Sequence, residues 1–317
     1  MGNTTFSARA RTVRRSAPVG RPGGLVELSW VVIPAIWLPT ESSTEGGPAP
    51  LILLHGGPGA THDYLSPLSA LASDGRAVVF YDQLGNGRST HLPSRGSEFW
   101  TVPLFVEELA NLLRHLGISN RYHVLGQSWG GFLGQEHALT KAPGLLSLVL
   151  SNTAASYPAF AVEAERLRSE LPADVQATLT RHETAGTTDD PEYASACEVF
   201  YHRHLCRLDP WPQGVSDGLA QIDADPTVYH TMNGPSEFHV TGSAREWSAE
   251  ARLAEIAVPT LVLSGRFDEA TPALQETLLQ GITGSRQVIF ERSSHMPFWE
   301  EPDAYLLVVA EWLLSHD

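Results

Sequence analysis

A serine flanked by glycines at a strand–helix junction constrains the fold of this chain more than any other feature. The motif Gly-x-Ser-x-Gly occupies residues 126–130, after the apolar run 122–125 and before a helix-like stretch at 131–138. Such a tight turn from strand to helix requires small residues beside the serine, and it leaves the serine hydroxyl exposed at the sheet edge. The pattern therefore predicts that Ser128 is a nucleophile.

A glycine-rich loop upstream predicts the group that would stabilise an oxyanion. The loop reads His-Gly-Gly-Pro-Gly over residues 55–59 and directly follows a short apolar run, typical of a buried strand, at 50–54. A backbone N–H in such a loop can point at developing negative charge, because no side chain blocks the approach. The second donor in this arrangement is the N–H of the residue after the nucleophile. We therefore predict an oxyanion hole formed by Gly57 and Trp129.

An acidic residue follows the serine at the end of a later predicted strand. Residues 258–265 are apolar and strand-like, and Asp268 lies just beyond them. Thr271 and Pro272 then suit the N-cap and first position of a helix. Asp268 is the predicted catalytic acid. Glu269 is the competing candidate and ranks below it.

A histidine completes the order nucleophile, acid, base that this kind of turn requires. His295 lies in the loop after the last predicted strand, 286–291, and a helix is predicted over 302–314. Its imidazole can take the proton of Ser128 and later return it to a leaving group. An aspartate on the other ring nitrogen fixes the tautomer and stabilises the imidazolium.

The wider pattern predicts an α/β protein with a mostly parallel central sheet and helices on both faces. Strand-like and helical segments alternate along most of the chain, which favours parallel strands covered on both sides. Strand-like runs are absent from 155–250, where helical patterns dominate, and we predict an inserted helical cap there. The predicted core comprises 24–154 and 251–317. Residues 1–23, rich in Arg and interrupted by Pro and Gly, are expected to form a flexible tail.

Six segments together resemble the proline iminopeptidase branch of the α/β-hydrolases, which includes close relatives such as the L-amino-acid amidases. They read HGGPG at 55–59, DQLGNGRS at 82–89, GQSWGG at 126–131, YHTMNGPSEF at 229–238, GRFDEATP at 265–272 and SSHMPFWEEP at 293–302. The resemblance implies an α/β-hydrolase fold and a catalytic triad of Ser128, Asp268 and His295. It also implies a helical cap in which glutamates hold the free amino group of the substrate.

Within the predicted cap, two glutamates are candidates for binding a substrate ammonium. Glu237 lies in the segment that matches the iminopeptidase branch, and Glu198 lies on a predicted cap helix beside aromatic residues. Aromatic side chains could line an apolar pocket. The candidates are Trp100, Trp211 and Phe238, with Trp129 and Trp299.

Charge and cysteine content limit the partners. The formal net charge of −15 repels nucleic acid and anionic membranes, so neither is an expected partner. Two cysteines, Cys197 and Cys206, fall on opposite faces if they share a helix, so no disulfide is expected, and the count fits a reducing, cytoplasmic compartment. No residue set suggests a metal site or a cofactor. The expected partner is a small molecule with a free amino group.

The sequence thus predicts a serine hydrolase that releases an N-terminal amino acid from short peptides or amino-acid amides through an acyl-enzyme. One alternative is a general esterase or lactonase, which would use the same triad without cap carboxylates. A second is a non-catalytic ligand receptor on the same fold, which would not need all three triad members. Dehalogenases and epoxide hydrolases are disfavoured, because their elbow carries aspartate where this chain has Ser128.

Overall fold

The computed structural model describes residues 47–317 and, before them, the backbones of two strands, β1 (Val13–Arg21) and β2 (Gly24–Ile33). The other strands are β3 (Leu51–Leu54), β4 (Val78–Asp82), β5 (Tyr122–Gln127), β6 (Leu145–Ser151), β7 (Thr260–Gly265) and β8 (Arg286–Phe290). Over the described residues they form one eight-stranded sheet in the order β1-β2-β4-β3-β5-β6-β7-β8. Neighbours from β4 to β8 are parallel, and β2 is antiparallel to both β1 and β4. The predicted fold class is confirmed.

Helices cover both faces of the sheet. They are α1 (Val102–Leu116), α2 (Trp129–Leu139), α3 (Tyr157–Arg168), α4 (Ala173–Ala185), α5 (Pro191–His204), α6 (Gln213–Ala224), α7 (Thr227–Met232), α8 (Pro272–Gly281), α9 (Pro297–Glu300) and α10 (Pro302–Leu314). A run of 3₁₀ turns also spans His62–Asp74. No helix in the described part of the chain has the length and apolar character needed to cross a membrane.

Strand β3 shows why the sheet has a core on each face. Ile52 and Leu54 pack into one hydrophobic cluster, while Leu51 and Leu53 pack into the other. Side chains alternate across a strand, so a strand that is covered on both sides must be apolar at every position. All four residues are buried. This arrangement leaves the loops at the carboxyl ends of the parallel strands to carry polar chemistry.

The N-terminal expectation needs correction. Residues 1–23 were expected to form a flexible tail, but Val13–Arg21 form β1 and pair with β2 along its length. An edge strand takes its backbone hydrogen bonds from one neighbour, so it tolerates a proline such as Pro18, which is opposite Glu27 in the register. Residues 1–12, 22–23 and 34–46 lie outside the described residues.

The chain between β6 and β7 contains helices α3 to α7. It leaves and returns to the core at one point, where Ser156 forms an isolated antiparallel bridge with Ser248. The N–H of Tyr157 also donates to the carbonyl of Trp247 over 2.9 Å. These contacts lie within a few residues of the predicted limits of the cap at 155 and 250, which remain a prediction.

Candidate active site

Ser128 occupies a strained turn between β5 and α2. Its backbone has φ 56° and ψ −125°, a conformation that L-residues rarely adopt. The turn closes so tightly that a Cβ added to Gly126 would lie 2.1 Å from the carbonyl oxygen of Gly130. The carbonyl of Ser128 accepts hydrogen bonds from the N–H of Gly131 and the hydroxyl of Thr153, both at 2.8 Å. The peptide that follows the serine is therefore held by two hydrogen bonds, while the residue itself is partly exposed.

Asp268 and His295 meet at the carboxyl end of the sheet. Nδ1 of His295 lies 2.6 Å from Oδ1 of Asp268, and both side chains are buried. The N–H of Ala270 donates to the same carboxylate oxygen over 2.9 Å. Because Asp268 is bound at Nδ1, Nε2 is the nitrogen left to exchange a proton with a nucleophile. His295 and Ser128 line the same two cavities.

Asn152 anchors Asp268 from the opposite side and was not anticipated from the sequence. Its Nδ2 donates to Oδ2 of Asp268 over 2.6 Å, and the hydroxyl of Ser151 donates to Oδ1 of Asn152 over 2.6 Å. The carboxylate is therefore held at both oxygens. Asn152 follows β6 directly and has φ 53°, a conformation that Asn adopts more readily than most residues. Its position directly after a parallel strand is the one feature of the sequence that could have indicated a place in the site.

Glu269 faces the other side of the imidazole. Its Oε1 lies 3.6 Å from Nε2 of His295, and no hydrogen-bond partner is found for the buried Oε2 among the described residues. Glu269 was expected from the sequence only as a competitor of Asp268 for the acid role, and its contact with Nε2 was not predicted. A buried carboxylate without a partner is costly, so the site is suited to a cationic ligand.

The charge of His295 is governed by these carboxylates. Burial acts to lower the pKa of His295, but the negative charges of Asp268 and Glu269 outweigh it and raise the pKa to about 9. Burial, reinforced by the nearby Glu237 and Asp268, raises the pKa of Glu269 well above its usual range. A cation bound by the glutamates would weaken their effect on the imidazole.

The two predicted oxyanion donors are linked through Gln83. Its Nε2 donates to the carbonyl of His55, two residues before Gly57, and its Oε1 accepts from the indole Nε1 of Trp129, each over 2.9 Å. As the first residue of α2, Trp129 has a backbone N–H with no acceptor within its helix. Gln83 is fully buried and joins the loop that follows β3 to the start of α2.

His55 reinforces the same loop as a neutral side chain. The backbone N–H of Gln83 donates to its Nε2 over 2.9 Å, so the ring proton lies on Nδ1, which is 3.0 Å from the carbonyl of Gly56. Burial lowers the pKa of His55 to about 4. The hydrogen bonds therefore do not change over the range in which His295 titrates.

Two cavities adjoin Ser128. Both include Gly57, Ser128, Glu237 and His295 in their lining. The first, of about 280 Å³, has aromatic walls that comprise Trp129, Phe132, Tyr157 and Phe160. The second, of about 420 Å³, includes Glu269 and a set of aliphatic side chains from the helices above the sheet.

Glu237, which was predicted to bind the substrate from the cap, lines both cavities. The hydroxyl of Tyr229 donates to its Oε1 over 2.6 Å. Burial raises the pKa of Glu237, and the hydrogen bond from Tyr229 and the charge of His295 act against that rise. Glu237 and Glu269 both line the second cavity, so two carboxylates face the space beside the serine.

Four other predicted substrate-binding residues lie outside the lining of the two cavities, and their role in binding stays a prediction. Glu198 is exposed on α5, where Cys197 and Phe200 point inward, because adjacent helix positions face different directions. None of the four lines either cavity. The three aromatic residues pack against other rings: Trp100 stacks on Phe105, Trp211 stacks on His202, and Phe238 packs against Phe200. Trp299, also considered, donates from its indole to the carbonyl of Tyr64.

A residue of α5 also holds the loops of Glu269 and His295 through its backbone. The carbonyl of His204, the last residue of α5, accepts from the N–H of Glu269 over 3.3 Å and from the N–H of His295 over 3.2 Å. The side chain of His204 bonds the carbonyl of Phe267. Helix α5, between β6 and β7, therefore directly positions the loop that contains Asp268 and the loop that contains His295.

Comparison with known sequences gives consistent matches. A family model described as the alpha/beta hydrolase fold matches residues 49–302. A proline iminopeptidase of Saccharolobus solfataricus is 40% identical over 263 residues, which cover 83% of this chain and 84% of that protein. A proline iminopeptidase of Heyndrickxia coagulans is 40% identical over 273 residues, which cover 85% of this chain and 92% of that protein.

Solved structures agree with these matches. The crystal structure of VinJ has 47% sequence identity and a TM-score of 0.89, and the match covers 96% of this chain and 99% of that one. The crystal structure of the Mycobacterium smegmatis proline iminopeptidase has 44% identity and a TM-score of 0.83, with 96% and 98% of the two chains covered.

Proposed function

Because this chain belongs to the α/β-hydrolase family, in the branch that contains the proline iminopeptidases, we propose that it is a serine hydrolase acting at a free amino end. Its substrate is a short peptide or an amino-acid amide, from which it releases the N-terminal amino acid. The name of the relatives supports peptide or amide chemistry, and the site residues of this chain supply the reasons that follow.

The observation that carries the proposal is the pair of carboxylates beside the nucleophile. Glu237 and Glu269 line the cavity that contains Ser128, and the charge of Glu237 helps to raise the pKa of Glu269. A substrate ammonium one carbon away from the scissile carbonyl would lie between both glutamates and offset part of their charge while the carbonyl lies at Ser128. A generic esterase has no need for two desolvated carboxylates at this point.

The proposed reaction is acyl transfer in two steps. Nε2 of His295 accepts the proton of Ser128, and the hydroxyl oxygen attacks the amide carbonyl. The backbone N–H groups of Gly57 and Trp129 stabilise the resulting oxyanion. The protonated His295 then donates to the leaving nitrogen, the amine departs, and water hydrolyses the acyl-enzyme by the same route. Asp268 holds Nδ1 of the imidazole throughout.

The substrate ammonium also prepares the base. In the free site the carboxylates hold the pKa of His295 near 9, so the ring is protonated at neutral pH and cannot accept a proton. An ammonium between Glu237 and Glu269 offsets their charge and lowers the pKa of His295. Binding of the correct end group and activation of Ser128 are thereby coupled. A substrate without a free amino group lacks this effect.

The remaining features of the proposal follow from charge and cysteine chemistry. The partner is a small molecule, and the net charge of −15 supports neither a nucleic-acid nor an anionic-membrane partner. Both cysteines are free and buried, which supports a cytoplasmic location.

The esterase alternative is tested by the nucleophile and by the substrate together. Ser128→Ala should reduce hydrolysis of L-alanine p-nitroanilide by at least about 10⁴-fold, and a fluorophosphonate probe should label the wild type at Ser128 alone. The wild type should prefer the anilide with a free amino group to its N-acetyl form. Turnover by the alanine variant would refute the triad, and equal use of both anilides would favour the esterase.

A further inference from the structure

The second cavity has an aliphatic wall whose position relative to Ser128 suggests the nature of the leaving group. Val215, Leu219 and Ile222 of α6 all line it. Their spacing of i, i+4 and i+7 places them on one stripe of the helix, so the whole stripe faces the cavity. Leu205, Ala60 and Met296 continue the apolar surface.

The direction of His295 indicates which part of the substrate occupies this cavity. Glu269, whose carboxylate lies 3.6 Å from Nε2, lines the second cavity and not the first. Nε2 therefore opens towards the second cavity, and the leaving nitrogen must receive its proton from Nε2. The aromatic first cavity remains for the side chain of the amino acid that is released.

The charges that line the second cavity distinguish between the two substrate classes of the proposed function, which are short peptides and amino-acid amides. Among the residues that line the two cavities there is no Lys or Arg. The basic side chain present, His295, is already faced by Asp268 at Nδ1 and by Glu269 at Nε2. The ionisable residues that remain, Glu237 and Glu269, are acids, so neither supplies a positive charge that could pair with an anion in the second cavity.

A dipeptide cannot keep its carboxylate away from this region. Its carboxyl carbon lies only about 2.5 Å from the scissile nitrogen, because two covalent bonds separate them. The carboxylate would be desolvated against aliphatic side chains, and no lysine or arginine lines the cavity to pair with it. An uncharged apolar group on the same nitrogen would instead be buried favourably.

We propose that the leaving group is an apolar amine, so that the preferred substrate is an amino-acid amide with an uncharged apolar substituent on its nitrogen rather than a dipeptide with a free carboxylate. This inference rests on the proposed function and narrows its substrate. It assigns the stripe of Val215, Leu219 and Ile222 as the surface that determines leaving-group specificity.

The first test compares two substrates that differ in one charge. L-Alanyl-glycinamide and L-alanyl-glycine have the same shape, and the wild type should show a kcat/KM at least about 10-fold higher for the amide-ended compound. In a series of L-alanine methylamide, n-butylamide and n-hexylamide, kcat/KM should rise by about 2- to 4-fold for each methylene that the cavity buries.

The second test places a cation in the cavity. Ile222 is partly exposed, so a lysine there can keep its ammonium hydrated while its stem packs on the stripe. Ile222→Lys should increase the rate for L-alanyl-glycine relative to L-alanyl-glycinamide by at least about 5-fold, and the matched Ile222→Met should leave that ratio unchanged.

The outcomes separate this inference from the function on which it rests. Equal wild-type kcat/KM for the two glycine compounds, or a flat alkyl series, would overturn the apolar leaving group while sensitivity to N-acetylation still supported the hydrolase. Loss of preference for a free amino group would instead contradict the proposed function itself.

Discussion

Oε1 of Glu269 lies 3.6 Å from Nε2 of His295, on the side of the ring away from the nitrogen that binds Asp268. The imidazole of the free site therefore lies between two carboxylates. One carboxylate orients the ring, and the other faces the nitrogen that must accept a proton from Ser128. The ability of His295 to accept a proton from Ser128 therefore depends on whether a ligand is bound to Glu269.

The pH dependence for a neutral substrate follows from this contact. His295 must be neutral to act as a base, and its pKa is raised to about 9, so kcat/KM for p-nitrophenyl acetate should be low at neutral pH and rise through about pH 9. Glu269→Gln removes a charge that raises this pKa and should shift the rise to lower pH. Stopped-flow or steady-state profiles of both proteins would measure it. A wild-type midpoint near 6.5, or an unshifted variant, would contradict the account.

The glutamate pair should matter only for substrates that carry an ammonium. A charge-assisted hydrogen bond contributes about 1.5–3 kcal/mol, so Glu237→Gln should reduce kcat/KM for L-alaninamide by about 10- to 150-fold. Hydrolysis of p-nitrophenyl acetate should change little. Glu198→Gln is the matched control, because Glu198 is exposed on α5 and lines neither cavity. A similar loss in both glutamine variants would rule out the assigned anchor.

Gln83 should act as a positioning residue for the oxyanion hole. Gln83→Met keeps the volume but removes the bonds to the carbonyl of His55 and the indole of Trp129. We expect kcat to fall by about 10- to 100-fold with little change in KM, since one lost oxyanion donor costs about 10²–10³ and displacement costs less. Affinity for 1-aminoethylboronic acid, which forms a tetrahedral adduct, should weaken in parallel, whereas binding of the product L-alanine should not.

The control for this variant is another fully buried glutamine. Gln135 donates to the carbonyls of Gly131 and Ala154 over 3.1 and 2.8 Å, away from the loop that follows β3. Gln135→Met also loses two hydrogen bonds of a buried side-chain amide, so it measures the general cost of removing a buried carboxamide. If the two variants lost kcat equally, the effect of Gln83 would be one of stability alone.

The elements that could be predicted from the sequence are those with local causes. The glycines at 126 and 130 and the alternation of apolar runs determine the strand–turn–helix at Ser128. The apolar residues of α1 recur at helical spacing, so this helix also has a local cause. The roles assigned to Ser128, Asp268 and His295 remain predictions.

Other features depend on contacts between distant segments. The direction of Glu269 depends on a loop whose N–H binds the carbonyl of His204 in α5, which no spacing in the sequence reveals. Trp100 and Phe238 are aromatic residues of the kind that line pockets, but both are buried against other side chains. An aromatic residue suits either environment, so the sequence alone does not distinguish them. The strand Val13–Arg21 depends on pairing with β2, and its Arg and Pro content hid that pairing.

The most direct test of the central claim is the ratio of wild-type kcat/KM for L-alanine p-nitroanilide to that for its N-acetyl form at pH 7.5. Acetylation removes the ammonium that binds Glu237 and Glu269 and that lowers the pKa of His295, so the account predicts a ratio of at least about 100. A ratio near one would contradict the claim that this site recognises a free amino end.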